Sequence, residues 1–188
     1  MCRGVLIAAA LICFVVPGED LQAADADVFA ALPEPVLTFH KATTSQECDY
    51  GTTHPVGPEI AEVFNASSYE VDDRWKLYTV PCSVGAYQAF YAVYAATVDG
   101  SKIERMLFVS WGPDGPVATN ELGNAVYEPE TRILSSRSVF RGLGDCGTSA
   151  EYKIVADEDG LGTKVLEIRY KPDCDENDDV FPKVFSAK

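Results

Sequence analysis

Six cysteines, two histidines, a glycine-rich block and an alternating acidic stretch are the parts of this 188-residue chain whose chemistry goes beyond packing. Cys2 and Cys13 lie near the start; Cys48, Cys82, Cys146 and Cys174 lie further on. Thiols pair into disulfides in an oxidising compartment, or bind zinc as thiolates. Four cysteines admit three connectivities. Proximity along the chain favours Cys48–Cys82 and Cys146–Cys174, each closing a loop of roughly thirty residues. The zinc alternative would use Cys48 with His40 and His54, but those spacings give no compact ligand pair.

The block Arg141-Gly142-Leu143-Gly144-Asp145-Cys146-Gly147 could cradle a phosphate on its backbone N–H groups. That chemistry needs a Lys-Ser/Thr pair and an opening helix, and neither follows. The alternative reading is architectural: glycines turn a tight corner, a disulfide clamps it, and Arg141 pairs with Asp145. Gly85, ending the turn-like 82–85 segment, has a similar structural role. Asp173, Asp175, Asn177 and Asp179 alternate as in a calcium loop, where a hard cation collects several oxygens from one turn. The glycine and glutamate that such a loop requires at its sixth and twelfth positions are replaced by Asp178 and Val184. A solvated acidic tail is the competing reading. Nucleophilic hydrolysis needs a base beside its Ser or Cys, yet both histidines precede residue 55 and no G-x-S-x-G elbow is present. Dispersed carboxylates leave a hydrolase as an alternative only. No catalytic residue is assigned and no cofactor is expected.

These residues sit in an acidic chain with 15 Lys and Arg against 29 Asp and Glu, a net charge of −14. Direct nucleic-acid binding is disfavoured, because phosphate contacts need clustered cations. The first 23 residues read as a secretory signal peptide: Arg3 is basic, 5–16 is apolar, and Pro17-Gly18 leads to the small residues before Ala24. An apolar run of that length is too short to span about 30 Å of bilayer. Its removal takes away Cys2, Cys13, Arg3, Glu19 and Asp20, leaving four cysteines and a net charge of −13. A periplasmic location, with no membrane span in the mature chain, is expected.

The elements that must position these groups read mainly as β. Residues 24–35 are expected to be a flexible lead-in and 36–188 a single β-rich domain. Residues 36–40 are assigned a short strand, 41–58 a loop tied down by Cys48, and 58–64 a brief helix. Strands are expected over 74–81, 106–111, 125–127, 132–140, 152–155 and 164–170, with turns at 112–116, 128–131 and 157–160. Residues 87–98 are apolar on both alternating faces, as in a strand buried on both sides; tyrosines and Phe90 at i, i+3, i+4 and i+7 also permit a helix. The strand is chosen. The predicted fold is mainly β: an antiparallel sandwich or barrel with short helical turns, stapled by two disulfides. Trp75, Tyr87 and Trp111 are candidates for a binding surface, with core packing as their alternative role.

Four segments, Pro81-Cys82-Ser83-Val84-Gly85-Ala86-Tyr87-Gln88, Asn124-Ala125-Val126-Tyr127-Glu128-Pro129-Glu130-Thr131, Arg141 to Gly147, and Leu166 to Cys174, follow one another in a distinctive order. From about Trp75 to Cys174 the chain resembles a bacterial domain-of-unknown-function family, numbered 1176, of exported Gram-negative proteins. Gln88 replaces a usual Asn, and Phe140 a usual Gly. The resemblance implies a periplasmic, disulfide-bonded domain and brings no activity or catalytic residues. The expected role is a non-enzymatic binding module for another envelope or host component. One concrete partner is a cationic protein such as a lysozyme-type enzyme. The alternatives are the hydrolase above and a calcium-stabilised envelope module.

Overall fold

The computed structural model describes residues 27–44, 48–49, 62–85, 88–177 and 180–187. The signal peptide, His54, most of the expected 58–64 helix, Tyr87 and Asp179 therefore lie outside the described residues.

Two long strands form the middle of the molecule, β2 (Trp75–Val84) and β3 (Ala89–Thr97), paired antiparallel from Trp75↔Thr97 to Val84↔Ala89. Both are buried along nearly their whole length, which explains the apolar pattern on both faces of 87–98. Alternate side chains enter different cores. Tyr78, Val80, Cys82, Ala92, Tyr94 and Ala96 face one, while Leu77, Val93 and Ala95 face the other. β1 (Ser67–Glu70), β4 (Ile103–Arg105) and β7 (Glu121–Gly123) complete this first sheet. Pro81 is tolerated within β2 because pairing with β1 ends at Thr79, so its missing N–H leaves no ladder bond broken on that side. β2 also runs through 82–84, where the sequence suggested a turn; a register shift between Pro81 and Ser83 absorbs the irregularity.

The first core is closed by a helix, α1 (Glu34–Thr44), where a strand over 36–40 was expected. Pro33 and Pro35 suit the first turn of a helix, Glu34 and Lys41 complement its dipole, and Val36, His40 and Thr44 bury at i, i+4, i+8. Two of those three residues are polar, so the helical period was hidden from an apolar count. Val28, Phe29 and Leu32, within the stretch expected to be a flexible lead-in, are buried in the same core, and Ala66 N–H bonds the Val28 carbonyl at 2.8 Å. From residue 27 that stretch is packed rather than frayed, because these apolar side chains have a sheet face to cover.

The second core lies between the first sheet and a second one, ordered β12 (Lys183–Ser186), β11 (Leu161–Lys171), β10 (Gly147–Ala156), β9 (Ile133–Val139), β8 (Val126–Glu128). The β8–β9 and β10–β11 hairpins fall where the turn signals placed them. A further hairpin, β5 (Phe108–Gly112) and β6 (Gly115–Thr119), turns at 112–116 as read. It leans on the second sheet through its carbonyls: Tyr152 Oη donates to Val109 O at 2.8 Å and Thr148 Oγ1 to Trp111 O at 3.3 Å. The architecture is an antiparallel sandwich with a helix laid on its outer face. Disulfides Cys48–Cys82 and Cys146–Cys174 are both formed.

The two bridges span 34 and 28 residues. Replacing Cys48 and Cys82 together by Ser is expected to cost about 3–4 kcal/mol on the chain-entropy scale. Urea unfolding at pH 7 checks this; an unchanged midpoint would mean that the packed helix needs no staple.

Candidate functional site

Three connections meet at one end of the sandwich, and each is folded by its own aspartate. In the β1–β2 connection, Asp72 Oδ1 accepts N–H bonds from Arg74 (2.9 Å) and Trp75 (2.8 Å). In the β3–β4 connection, Asp99 Oδ1 accepts from the Ser101 N–H (3.0 Å) and hydroxyl (2.8 Å). In the β10–β11 connection, Asp157 Oδ1 accepts from the N–H groups of Asp159 and Gly160, both at 2.9 Å. Short polar side chains that bond their own backbone two or three residues on are a general device for tight turns.

Cations stitch the turns together across the two sheets. Arg74 Nη2 donates to the Asp157 carbonyl at 3.1 Å, and Lys102 Nζ to the Asp159 carbonyl at 2.5 Å. Lys102 also pairs with Glu104 and lies 5.7 Å from the centre of the Trp75 ring. Between the turns is an open cleft of about 380 Å³, lined by Asp73, Trp75, Asp99, Ser101 and Glu158 among others. Asp73, Asp99, Glu158 and Asp159 are all exposed around it. Among the described residues no salt bridge engages Asp73 or Glu158.

The electrostatics favour the ionised form of the turn-forming Asp72 and Asp99. Bonds from Thr97 and from the Ser101 N–H and hydroxyl hold Asp99 at about 2. The Arg74 N–H, then the Trp75 N–H and the charges of Arg74 and Arg132, hold Asp72 below the ordinary carboxylate value. Asp145, Glu167 and Asp175 are shifted downward as well, so none of these five carboxyls is poised as a general acid near neutral pH.

The glycine-rich block forms a clamped corner. Arg141 donates to Asp145 through Nε (2.9 Å) and Nη2 (2.6 Å), and the second Asp145 oxygen also takes the Glu176 N–H at 2.6 Å. Asp145 is 1% exposed, and the Arg141 guanidinium leads the bonds that hold its carboxyl far below the usual range. Cys146–Cys174 ties the same corner to the tail. Gly142 is exposed at the tip, Arg137 Nη2 donates to the Gly144 carbonyl, and Gly147 begins β10 against β9. Gly85 donates its N–H to the Gln88 carbonyl at 2.8 Å, closing the turn between β2 and β3.

The remaining sequence candidates separate. Trp75, expected on a binding face, is only 3% exposed and packs in the second core, although it lines the base of the acidic cleft. Trp111 is half-buried against that core. Lys171 Nζ donates to both the Asp175 carboxylate (2.7 Å) and the Asn177 carbonyl (2.6 Å), so an ammonium lies among the oxygens that suggested calcium. Asp173 is exposed. The zinc alternative loses Cys48, whose sulfur is bonded to Cys82. Glu121 Oε1 approaches Cys82 Sγ to 3.2 Å, but half-cystines offer no thiolate for a metal.

The acidic rim escaped the sequence reading because its residues come from turns that are far apart in the chain. The available signal was three aspartate-led turns, of which only 157–160 was recognised as a turn.

No curated protein and no solved structure matches the chain. Among the described residues no helix is long and apolar enough to cross a membrane, and the two disulfides fit an oxidising compartment. The match to a family, by contrast, extends well beyond the motif-bearing stretch from Trp75 to Cys174: over residues 15–188 the chain belongs to DUF1176, a family of proteins of unknown function.

Proposed function

We propose that the protein is an exported, periplasmic binding module that engages a cationic protein through the acidic end of its sandwich. The observation that carries this reading is the meeting of three aspartate-led turns around one open cleft, with Asp73 and Glu158 exposed beside it. Arg74 and Lys102 are turned toward backbone carbonyls of the 157–159 turn. A rim of carboxylates on a strongly acidic body accelerates encounter with basic partners and fixes their orientation. The basic start and apolar run of the sequence support export, as do the disulfides.

A basic lysozyme-type enzyme is the concrete partner. Binding is expected at low ionic strength and should weaken steeply between low and moderate salt. Neutralising Asp73→Asn and Glu158→Gln together should slow association several-fold and flatten the salt dependence, with little change in melting temperature. Surface plasmon resonance measures both quantities. Absence of binding at low salt removes this reading.

A further inference from the structure

The acidic chain carries a cationic face, and a cleft is built into it. We propose that the outer face of the second sheet binds a small hydroxylated carboxylate, of the sugar-acid class, between Arg137 and Arg169.

The face is identified by alternation. Leu134 and Ser136 of β9, Ala150, Tyr152 and Ile154 of β10, and Ile168 and Tyr170 of β11 are buried on the inner side. Their neighbours Ser135, Arg137, Ser149, Glu151, Lys153, Glu167, Arg169 and Lys171 therefore point outward. Lys164, opposite Lys153, and Lys183, which pairs with Glu167, extend the same side. Arg137, Lys153, Lys164, Arg169, Lys171 and Lys183 there meet Glu128, Glu151 and Glu167, with Asp175 paired to Lys171, still the reverse of the whole chain's balance.

Register makes the cleft. Ser149 is directly opposite Arg137 on one side and Arg169 on the other. The next row is Val126, Ser135, Glu151 and Glu167. Two short serines thus form a floor between long side chains, with the two arginine Cα atoms about 10 Å apart across three strands. The result is an open cleft of about 330 Å³.

Both guanidinium groups are held in place without using all their donors. Arg137 Nη2 donates to the Gly144 carbonyl (2.9 Å), and its guanidinium lies 5.0 Å from the centre of the Phe181 ring. Arg169 bonds Glu167 through Nε and the Phe181 carbonyl through Nη1 (3.0 Å). Among the described residues nothing engages Arg137 Nε and Nη1 or Arg169 Nη2, and these donors are offered to a ligand, since a guanidinium carries five N–H donors. Held in this way, they lose little entropy on meeting a carboxylate. The Ser135 and Ser149 hydroxyls on the floor can donate and accept, and Glu151 can only accept. That set suits a ligand with a carboxylate at one end and hydroxyls along its length. Glu151 opposes a purely anionic one, whereas Glu167, also in the lining, is paired with Arg169 and Lys183.

The test is isothermal titration of the full mature chain with gluconate, acetate and glucose. Gluconate is expected to bind more tightly than either of the others. Ser149→Leu, which fills the floor on a solvent-facing strand position, should abolish that binding. Arg137→Gln should weaken it by about tenfold, the value of a charge-assisted bond. Circular dichroism melts of both variants verify the fold. Failure of gluconate to bind overturns the proposal. Glucose binding equally well would show that the arginines read no charge, and acetate binding equally well that the hydroxyls are not read; either result also overturns it. None of these outcomes bears on the acidic end of the molecule.

Discussion

Replacing Gly147 by Ala is expected to cost more than about 4 kcal/mol, in the range reserved for severe steric conflict. Gly147 has φ +147°, a conformation that residues with a Cβ rarely adopt. A Cβ there would lie 2.0 Å from the Ser138 carbonyl oxygen and 3.0 Å from Val139 Cα, both backbone atoms of the paired strand β9. No rotamer relieves that collision, so β10 would have to part from β9 just beyond the Arg141–Asp145 corner and the Cys146–Cys174 bridge. Net stabilities of domains are about 5–15 kcal/mol, so the variant should be recovered partly unfolded or melt well below the native protein. Gly115 supplies the control. Its φ is also positive, at +117°, yet nothing lies within 4 Å of a Cβ placed there. Gly115→Ala should therefore show backbone strain alone, about 1–3 kcal/mol. Equal melting temperatures for the two variants would refute the close approach of β9 and β10 at this corner.

Stability is expected to fall by about 3 kcal/mol as the pH drops from 6.5 to 4, owing to one buried histidine. His40 is fully buried on the inner face of α1, with Nδ1 2.8 Å from Tyr94 Oη and Nε2 without a hydrogen-bond partner among the described residues. Burial, followed by the charges of Arg105 and Lys41, lowers its pKa from 6.5 to about 4. A folded-state value below the unfolded one means that the unfolded chain binds the proton first. The stabilisation is complete above pH 6.5, declines through that interval and is gone below pH 4. The protonated ring carries an N–H at both nitrogens, and none of the described residues accepts the one at Nε2. Urea midpoints at pH 7, 5.5 and 4 measure the decline. His40→Gln should be less stable at pH 7 but lose less on acidification. Parallel pH profiles for the two proteins would show that another group titrates. The shifted carboxylates act lower on the scale, since Asp72 and Asp99 both have values depressed below the ordinary carboxylate range.

Much of the framework was legible in the residues. Turn chemistry at 112–116, 128–131 and 157–160 placed three hairpins, because glycine, proline and aspartate act through local backbone geometry. Cysteine spacing favoured both disulfides correctly. The two-sided apolar pattern of 87–98 identified a strand covered on both faces, although the segments that cover its second face were expected to be a short strand and a flexible lead-in. The cover is α1 with Val28, Phe29 and Leu32. Its helical stripe depends on His40 and Thr44, whose burial is made tolerable by partners elsewhere: the Tyr94 hydroxyl for the ring, and the helix's own His40 carbonyl for the Thr44 hydroxyl. A polar residue does not reveal in sequence that a distant strand will satisfy it.

The candidate surfaces divide in the same way. Arg141 and Asp145 are four residues apart, and their pairing was readable because a short corner leaves them few alternatives. The acidic rim joins Asp73, Asp99 and Glu158, and the cleft in the cationic face joins Arg137, Ser149 and Arg169 across three strands. By itself the sequence determined three hairpin turns, the favoured disulfide pairing, the predominance of strands and the sign of the net charge, which are set by composition and by near neighbours along the chain. Only the tertiary structure decided where that charge is concentrated and where it reverses, because strand register and sheet packing bring together side chains whose separation in sequence carries no signal.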